Sequence, residues 1–264
     1  MCGSGALNLI HPTAIIDSGA ELDGDVVVGP YSVIGGGVKI GSGTVVGSHV
    51  VIKGPTAIGK QNRIYQFSSI GEDPQDKKYA AEITRLEIGD RNTIREFSSL
   101  HRGTKQDHSV TKIGHDNLFM AYTHVAHDCV IGNHVIMANG ASLAGHVQLH
   151  SHAILGGFTL VHQFTKIGQY SFAAMGSAIT QDIPPFVMVG GKPTRPHGIN
   201  SVGMERNGIL AEDIRLIRKA YKMIYKMNLR LEDAIDQMED LAGDSKELSA
   251  MVNFLRNVSR GILR

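Results

Sequence analysis

The sequence predicts a mainly β chain, a parallel β-helix of six-residue repeats followed by a small C-terminal α-helical domain. Three observations carry this. Counting every sixth residue from Ile10 gives Ile16, Leu22, Val28, Ile34, Ile40, Val46, Ile52, Ile58, Ile64 and Ile70 without exception; with roughly a quarter to a third large aliphatics per position, chance does not produce such a run. Many hexads place glycine after the aliphatic residue, as at Gly29, Gly35, Gly41, Gly47, Gly59 and Gly71, and a small or β-branched residue two positions before it, as at Ala14, Ala20, Val26, Ser32, Val38, Thr44, Val50 and Thr56. Downstream of a proline-rich stretch the apolar period becomes helical, with Leu210, Ile214, Ile217, Tyr221 and Ile224 on one face.

A period of six fits neither an amphipathic helix nor a hairpin strand, which repeat at 3.6 and 2. It fits a short strand followed by a turn. The aliphatic residue then points inward and stacks on its counterparts, glycine supplies the backbone angles of each corner, and three hexads make one coil. The beat breaks at "GEDPQDKKYAAEITR", where Asp76 and Glu82 fall on aliphatic positions, and resumes at Ile88, Ile94 and Leu100. It breaks again at "HRGTKQDHSVTK", because Leu100 to Ile113 is thirteen residues rather than twelve. Both stretches, near 72–86 and 101–112, read as loops leaving a rigid scaffold, where function commonly sits. From Ile113 the repeat runs through Phe119, Val125, Ile131, Met137, Leu143, Leu149, Leu155, Val161 and Ile167, falters at Ala173 and ends at Ile179. Pro184, Pro185, Pro193 and Pro196 then end the solenoid, which places the β-helix in 1–189 and the helical domain in 190–264. The segments "LAEDIRLIRKAYKMIYKM", "LEDAIDQMEDLAG" and "KELSAMVNFLRNV" read as helices. In the first, at 211–227, Arg215, Arg218, Lys219, Lys222 and Lys226 form a basic stripe, either a solvated face or a landing site for an acidic carrier protein.

A formal net charge of +1 gives no global basic excess, so nucleic acid is not an expected partner. Cys2 and Cys129 cannot form a disulfide framework or a four-thiolate zinc site, which favours a reducing compartment. The start "MCGSGALNLIHPTAIID" lacks a basic segment followed by an apolar one, and no apolar run is long enough to span a bilayer. A cytoplasmic protein without stable membrane insertion is the expectation.

His124, His127, His146 and His162 admit three readings: metal ligands, inconsequential surface positions, or acid–base groups. With about eighteen residues per coil, His127, His146 and His162 fall near one edge of successive coils, which disfavours unrelated surface positions. Metal and catalysis fit that edge equally. Apart from Asp128, adjacent to His127, no second cysteine or carboxylate sits at compact ligand spacing, and an Asp beside a His is better placed to orient it than to share a metal.

The segments "IYQFSSIGEDPQDKKY", "HRGT", "THVAHDCVIGN", "ASLAGHV", "LVHQF" and "QDIPPFV", in this order and with the ending "SRGILR", resemble the UDP-N-acetylglucosamine O-acyltransferases of lipid A biosynthesis over essentially the whole chain. The resemblance implies a left-handed coil, against the usual rule for parallel crossovers, and a cytoplasmic homotrimer with a C-terminal helical domain in each chain. It implies transfer of a 3-hydroxyacyl chain from acyl carrier protein to the glucosamine 3-hydroxyl of UDP-N-acetylglucosamine, with no cofactor or metal, the carrier thioester being a substrate. By the same resemblance His127 is the general base, Asp128 orients it, and the backbone N–H of Gly145 stabilises the oxyanion. Gln75, Asp76, His124, His146, His162, Gln163, Asn200 and Arg206 match the positions that bind the sugar nucleotide, Arg206 suiting a diphosphate. Val202 and Asn207 stand where many members carry Glu and Arg, which bears on nucleotide contacts. Met175 matches the stop for the acyl chain, implying a decanoyl-class donor, against the alternative of an ordinary core methionine. The rival functions are the related N-acyltransferase, a zinc-dependent carbonic anhydrase-like β-helix, and a non-catalytic binding solenoid.

Overall fold

The computed structural model describes residues 9–258 and 260–264; Cys2 and Ser259 lie outside them. The chain divides into two compact units, Met1–Cys129 and Val130–Arg264.

In the first unit, strands of two to four residues stack into three parallel sheets. One runs through Ile15–Ile16, Val33–Ile34, Val51–Ile52, Ser69–Glu72, Ser99–His101 and His124–Val125. The second contains Glu21–Leu22, Val38–Ile40, Thr56–Ile58, Arg85–Ile88 and Val110–Ile113, and the third Val27–Val28, Val45–Val46, Arg63–Ile64, Thr93–Ile94 and Leu118–Phe119. Ile16 pairs with Ile34 and Ile34 with Ile52, so one coil takes eighteen residues, or three hexads. The period-six aliphatics from Val28 onward are the core, and the small or β-branched positions Val26, Ser32, Val38, Thr44, Val50 and Thr56 are buried beside them.

Pairing across the two excursions measures them. Ile70 pairs with Leu100 and Ile58 with Ile88, thirty residues apart where eighteen is the rule, so twelve residues leave the coil between Ser69–Glu72 and Arg85–Ile88. Leu100 pairs with Val125 and Ile88 with Ile113, twenty-five apart, so seven leave between Ser99–His101 and Val110–Ile113. The thirteen-residue step is therefore one hexad plus a seven-residue excursion.

The corner chemistry differs from the expectation. Left-handed backbone sits three residues after most of the aliphatics and is mostly not glycine: Tyr31, His49, Phe67, Phe97, Tyr122 and Asp128 have φ between 56° and 65°. Of the six glycines named above, only Gly71 has positive φ (74°). The others answer to close approach: a Cβ on Gly29 would lie 2.7 Å from the carbonyl carbon of Gly47, and one on Gly41 2.9 Å from that of Gly59. The exposed corner rings in turn stack from coil to coil, Tyr31 on His49, Phe67, Phe97 and Tyr122, at centroid spacings of 4.9–5.2 Å, which offsets part of the strain of holding side chains in the left-handed region.

The second unit continues the same construction. Its parallel sheets contain Ser142–Leu143, Leu160–Val161 and Ala178–Ile179; Val130–Ile131, Gln148–Leu149 and Lys166–Ile167; and Ile136–Met137, Ile154–Leu155, Phe172–Ala173 and Val187–Gly190, with Arg195–Ile199 added antiparallel to the last. Ala173 is no interruption, since it is buried and pairs with both Leu155 and Val189. Four helices follow among the described residues: α1 (Ser201–Arg206), α2 (Ala211–Tyr225), α3 (Leu231–Ala242) and α4 (Lys246–Arg256). Helix α2 buries Ile214, Ile217, Ala220, Tyr221 and Ile224, each large side chain contributing about 1.5–3 kcal/mol relative to exposure. Leu210 does not join that face: it is the extended N-cap residue and is exposed. Arg215, Arg218, Lys219, Lys222 and Lys226 are all exposed or half-buried at the surface. Among the described residues no helix is long and apolar enough to cross a membrane.

Candidate active site

His127 and Asp128 occupy the corner that follows the strand His124–Val125. The left-handed φ of Asp128 (58°) is tolerable because a short polar side chain can bond locally. The two side chains are 14% and 1% exposed, and His127 Nδ1 lies 2.9 Å from Asp128 Oδ2. The carboxylate also receives the N–H of Thr104 at 2.9 and 3.0 Å to its two oxygens and the Thr104 hydroxyl at 2.6 Å to Oδ2. The Asp128 N–H donates to Thr111 Oγ1 at 2.8 Å. Donors converging on both oxygens match an ionised, acceptor-only carboxylate. Nδ1 of His127 then donates, and the imidazole lone pair resides on Nε2.

His124 shares that coil. Its Nδ1 is 2.8 Å from Ser99 Oγ, and its ring meets His101 edge-on at 5.2 Å. Burial, with smaller contributions from His101 and His127, pushes its pKa down to about 4, so at neutral pH the ring is neutral. Burial also lowers His101, although His101 Nδ1 is 2.6 Å from the Asp73 carbonyl oxygen. That bond joins the histidine group to the first excursion. Arg102, nearly fully buried, pins the same segment by donating to the carbonyls of Gly54 (2.9 Å) and Gly71 (2.8 Å), to the Tyr79 hydroxyl (3.1 Å) and to the Asp73 carboxylate. On this anchored loop Gln75 is exposed, and Asp76 is half-buried with Oδ1 accepting the Lys78 N–H at 3.0 Å.

In the second unit Gly145 is buried and its carbonyl accepts the Phe164 N–H at 3.1 Å. His146, at a left-handed corner, stacks on Phe164 at 4.3 Å. His162 and Gln163 lie exposed one coil further along, with His162 Nδ1 3.1 Å from its neighbour's carbonyl oxygen. Asn200 is occupied structurally, capping α1 through Oδ1 to the Gly203 N–H (3.0 Å) and donating Nδ2 to the Tyr170 carbonyl (2.9 Å). Arg206 ends α1 exposed; Asn207 donates to the Gly203 carbonyl at 2.8 Å, and Val202 is exposed. Met175 is 80% exposed, which removes the ordinary core methionine from consideration.

The first unit thus gathers His124, His127 and Asp128 and ties them through His101 to the loop bearing Gln75 and Asp76. The second places His146 and the His162–Gln163 pair on successive coils and Asn200 and Arg206 on α1. Sequence reasoning assigns nothing to Ser99, His101, Arg102, Thr104 or Thr111, all of which hold the site. The signal that could have found them is the odd thirteen-residue step at "HRGT", which marks a loop and also what that loop delivers.

Family models match in two places. The model described as UDP N-acetylglucosamine O-acyltransferase, domain 2, covers residues 182–263, and the bacterial transferase hexapeptide model covers 19–54 and 111–145. The chain is 54% identical, over 97% of its length and 99% of the relative, to the acyl-(acyl-carrier-protein)–UDP-N-acetylglucosamine O-acyltransferase of Halorhodospira halophila. It is 50% identical to the enzyme of the same name from Paraburkholderia phymatum, over 98% of this chain and 100% of that one. Among solved structures, the UDP-N-acetylglucosamine O-acyltransferase of Moraxella catarrhalis superposes with a TM-score of 0.95 at 43% identity, covering 97% of this chain and all of the other. The Arabidopsis UDP-N-acetylglucosamine acyltransferase does so with a TM-score of 0.83 at 33% identity and the same coverage. Full-length likeness at this identity selects among the rival functions. The fold is the left-handed parallel β-helix of hexapeptide repeats with C-terminal helices, and the chain belongs to the UDP-N-acetylglucosamine O-acyltransferase family.

Proposed function

We propose that the protein transfers a 3-hydroxyacyl chain from acyl carrier protein to the 3-hydroxyl of the glucosamine in UDP-N-acetylglucosamine, the first step of lipid A biosynthesis, with His127 as general base. The observation that carries the mechanism is the His127–Asp128 pair, in which a donor-saturated carboxylate accepts from Nδ1 and leaves basicity on Nε2. The sugar 3-hydroxyl attacks the thioester carbonyl carbon while Nε2 takes its proton. The oxyanion is held by the N–H of Gly145. Collapse breaks the C–S bond, and the imidazolium returns its proton to the departing thiolate, leaving an ester and free carrier thiol. No covalent acyl-enzyme and no metal enter this scheme, and Cys129, which is buried, has no part in it.

Gln75, Asp76, His124, His146, His162, Gln163 and Arg206 take the sugar nucleotide, with Asn200 holding the start of α1 on which Arg206 sits. The lysines and arginines along α2 meet the acidic carrier, and Met175 limits the chain to the decanoyl class. We take 1–189 as the β-helix with its loop excursions and 190–264 as the helical domain of a cytoplasmic homotrimer. The test is transfer from 3-hydroxyacyl carrier protein to UDP-N-acetylglucosamine by chelator-treated protein. Activity is expected to survive chelation and to fall about 10²–10⁴-fold in His127→Ala; activity lost on chelation, or unchanged in the variant, sinks the mechanism.

A further inference from the structure

We propose that Thr104 is a positioning residue for the general base: it fixes the Asp128 carboxylate, and through it the tautomer and direction of the His127 ring. Its consequence for catalysis rests on the acyl-transfer reading above, but the geometry stands by itself. Thr104 is fully buried, and every polar group it has is engaged. Its N–H bridges both Asp128 oxygens at 2.9 and 3.0 Å, and its hydroxyl donates to Oδ2 at 2.6 Å, the oxygen that also takes His127 Nδ1. Its carbonyl accepts the N–H groups of Asp107 (3.3 Å) and Ser109 (3.1 Å), so the excursion closes on it.

The seven extra residues acquire a purpose here. A regular coil carries the chain from Leu100 to the next aliphatic in six residues; here seven more are inserted, and it is one of the inserted stretch, Thr104, that meets the Asp128 carboxylate. The excursion turns at Gly103, where a Cβ would collide with the backbone of Ser109 and Val110, and that close turn sets Thr104 twenty-four residues upstream of Asp128 and against its carboxylate. A carboxylate held by one donor can rotate about its Cβ–Cγ bond. Held by an N–H across both oxygens and a hydroxyl on one, it presents Oδ2 to Nδ1 in a single orientation, and the ring follows. Thr111, whose Oγ1 accepts the Asp128 N–H at 2.8 Å, fixes the backbone of the same corner.

The experiment compares wild type, Thr104→Val, which keeps shape and N–H but removes the hydroxyl, and Thr104→Ser, which restores it. Two readouts are taken: steady-state kinetics with 3-hydroxydecanoyl carrier protein and UDP-N-acetylglucosamine, and ¹⁵N-histidine NMR of the His127 tautomer in the unliganded enzyme. Loss of one hydrogen bond to a charged group predicts a fall in kcat of roughly ten- to a hundredfold for Thr104→Val, a KM for the nucleotide sugar within about twofold of wild type, and recovery to within about threefold in Thr104→Ser. The His127 spectrum is expected to pass from one tautomer, protonated on Nδ1, to a mixture in the valine variant and back in the serine variant. If the valine variant does not fold, Thr104→Ala carries the same expectations. Wild-type kcat and a single tautomer in Thr104→Val, or a loss that serine does not recover, overturns the proposal. If the wild-type protein transfers no acyl chain, the functional reading fails, and the tautomer comparison still decides the role of Thr104.

Discussion

His124 illustrates how burial turns a titratable residue into a neutral ring and a source of acid lability. Its surroundings hold it near pKa 4, against an ordinary imidazole value near 6.5. Above about pH 6.5 the ring is neutral in folded and unfolded chains alike and titration contributes nothing. Between about 6.5 and 4 the unfolded chain takes up a proton that the folded chain refuses, so stability falls with pH, and the loss is complete once the folded ring also protonates. A depression of this size corresponds to about 3 kcal/mol. His101, His150 and His152 are lowered chiefly by burial as well and act in the same direction. Chemical denaturation at pH 7 and pH 4.5 is expected to show a marked drop for wild type and a smaller one for His124→Gln, whose amide can keep a bond to Ser99 without taking a proton. Equal drops would mean that His124 is not held neutral by the fold.

At the level of elements, the twelve-residue excursion is anchored chiefly by Arg102, with His101 bonding the Asp73 carbonyl beside it. Arg102 bonds the carbonyls of Gly54 and Gly71 beneath the loop and Asp73 and Tyr79 within it. Replacing it with Met preserves bulk but leaves a buried and a half-buried carbonyl without this donor and Asp73 without its cation. The expected cost is about 2–4 kcal/mol, less than for a fully buried ion pair because Asp73 is half-exposed. Because the loop has few apolar anchors, local opening precedes global unfolding: Arg102→Met is expected to exchange amide hydrogens faster across 73–84 while the strands at Ile34 and Ile52 stay protected, and uniform acceleration would refute the anchoring role. The same element explains what can be read from sequence. The beat from Ile10 to Ile179 is legible because each hexad makes the same local choice, an inward aliphatic, and a stack of identical choices has one solution. His127 and Asp128 are legible as neighbours in a motif. Arg102 with Asp73 and Thr104 with Asp128 are not, since each pair spans more than twenty residues and closes only when the coil brings successive turns together. Leu210 misleads because an extended N-cap residue and a buried helical residue look alike in the apolar pattern. The glycines mislead too, because sequence cannot separate a need for positive φ from a need for no Cβ.

At the scale of the whole molecule, Met175 and assembly are one question. A methionine that is 80% exposed on its own chain cannot by itself withhold four methylenes from water or exclude them sterically, because solvent offers them room on its open side. Discrimination between ten- and fourteen-carbon donors amounts to about 3 kcal/mol if four methylenes at about 0.8 kcal/mol each are denied burial, roughly a hundredfold in kcat/KM. That requires a second wall opposite Met175, which in the proposed homotrimer a neighbouring copy would supply. The two proposals therefore fail or stand together. Sedimentation equilibrium is expected to give three times the 28.5 kDa chain mass, and Met175→Gly is expected to raise activity with fourteen-carbon chains while leaving that mass unchanged. Dilution below the assembly threshold should abolish chain discrimination together with activity. A fully active monomer that still prefers ten carbons would show that the wall comes from within the chain and that Met175 has been given the wrong partner.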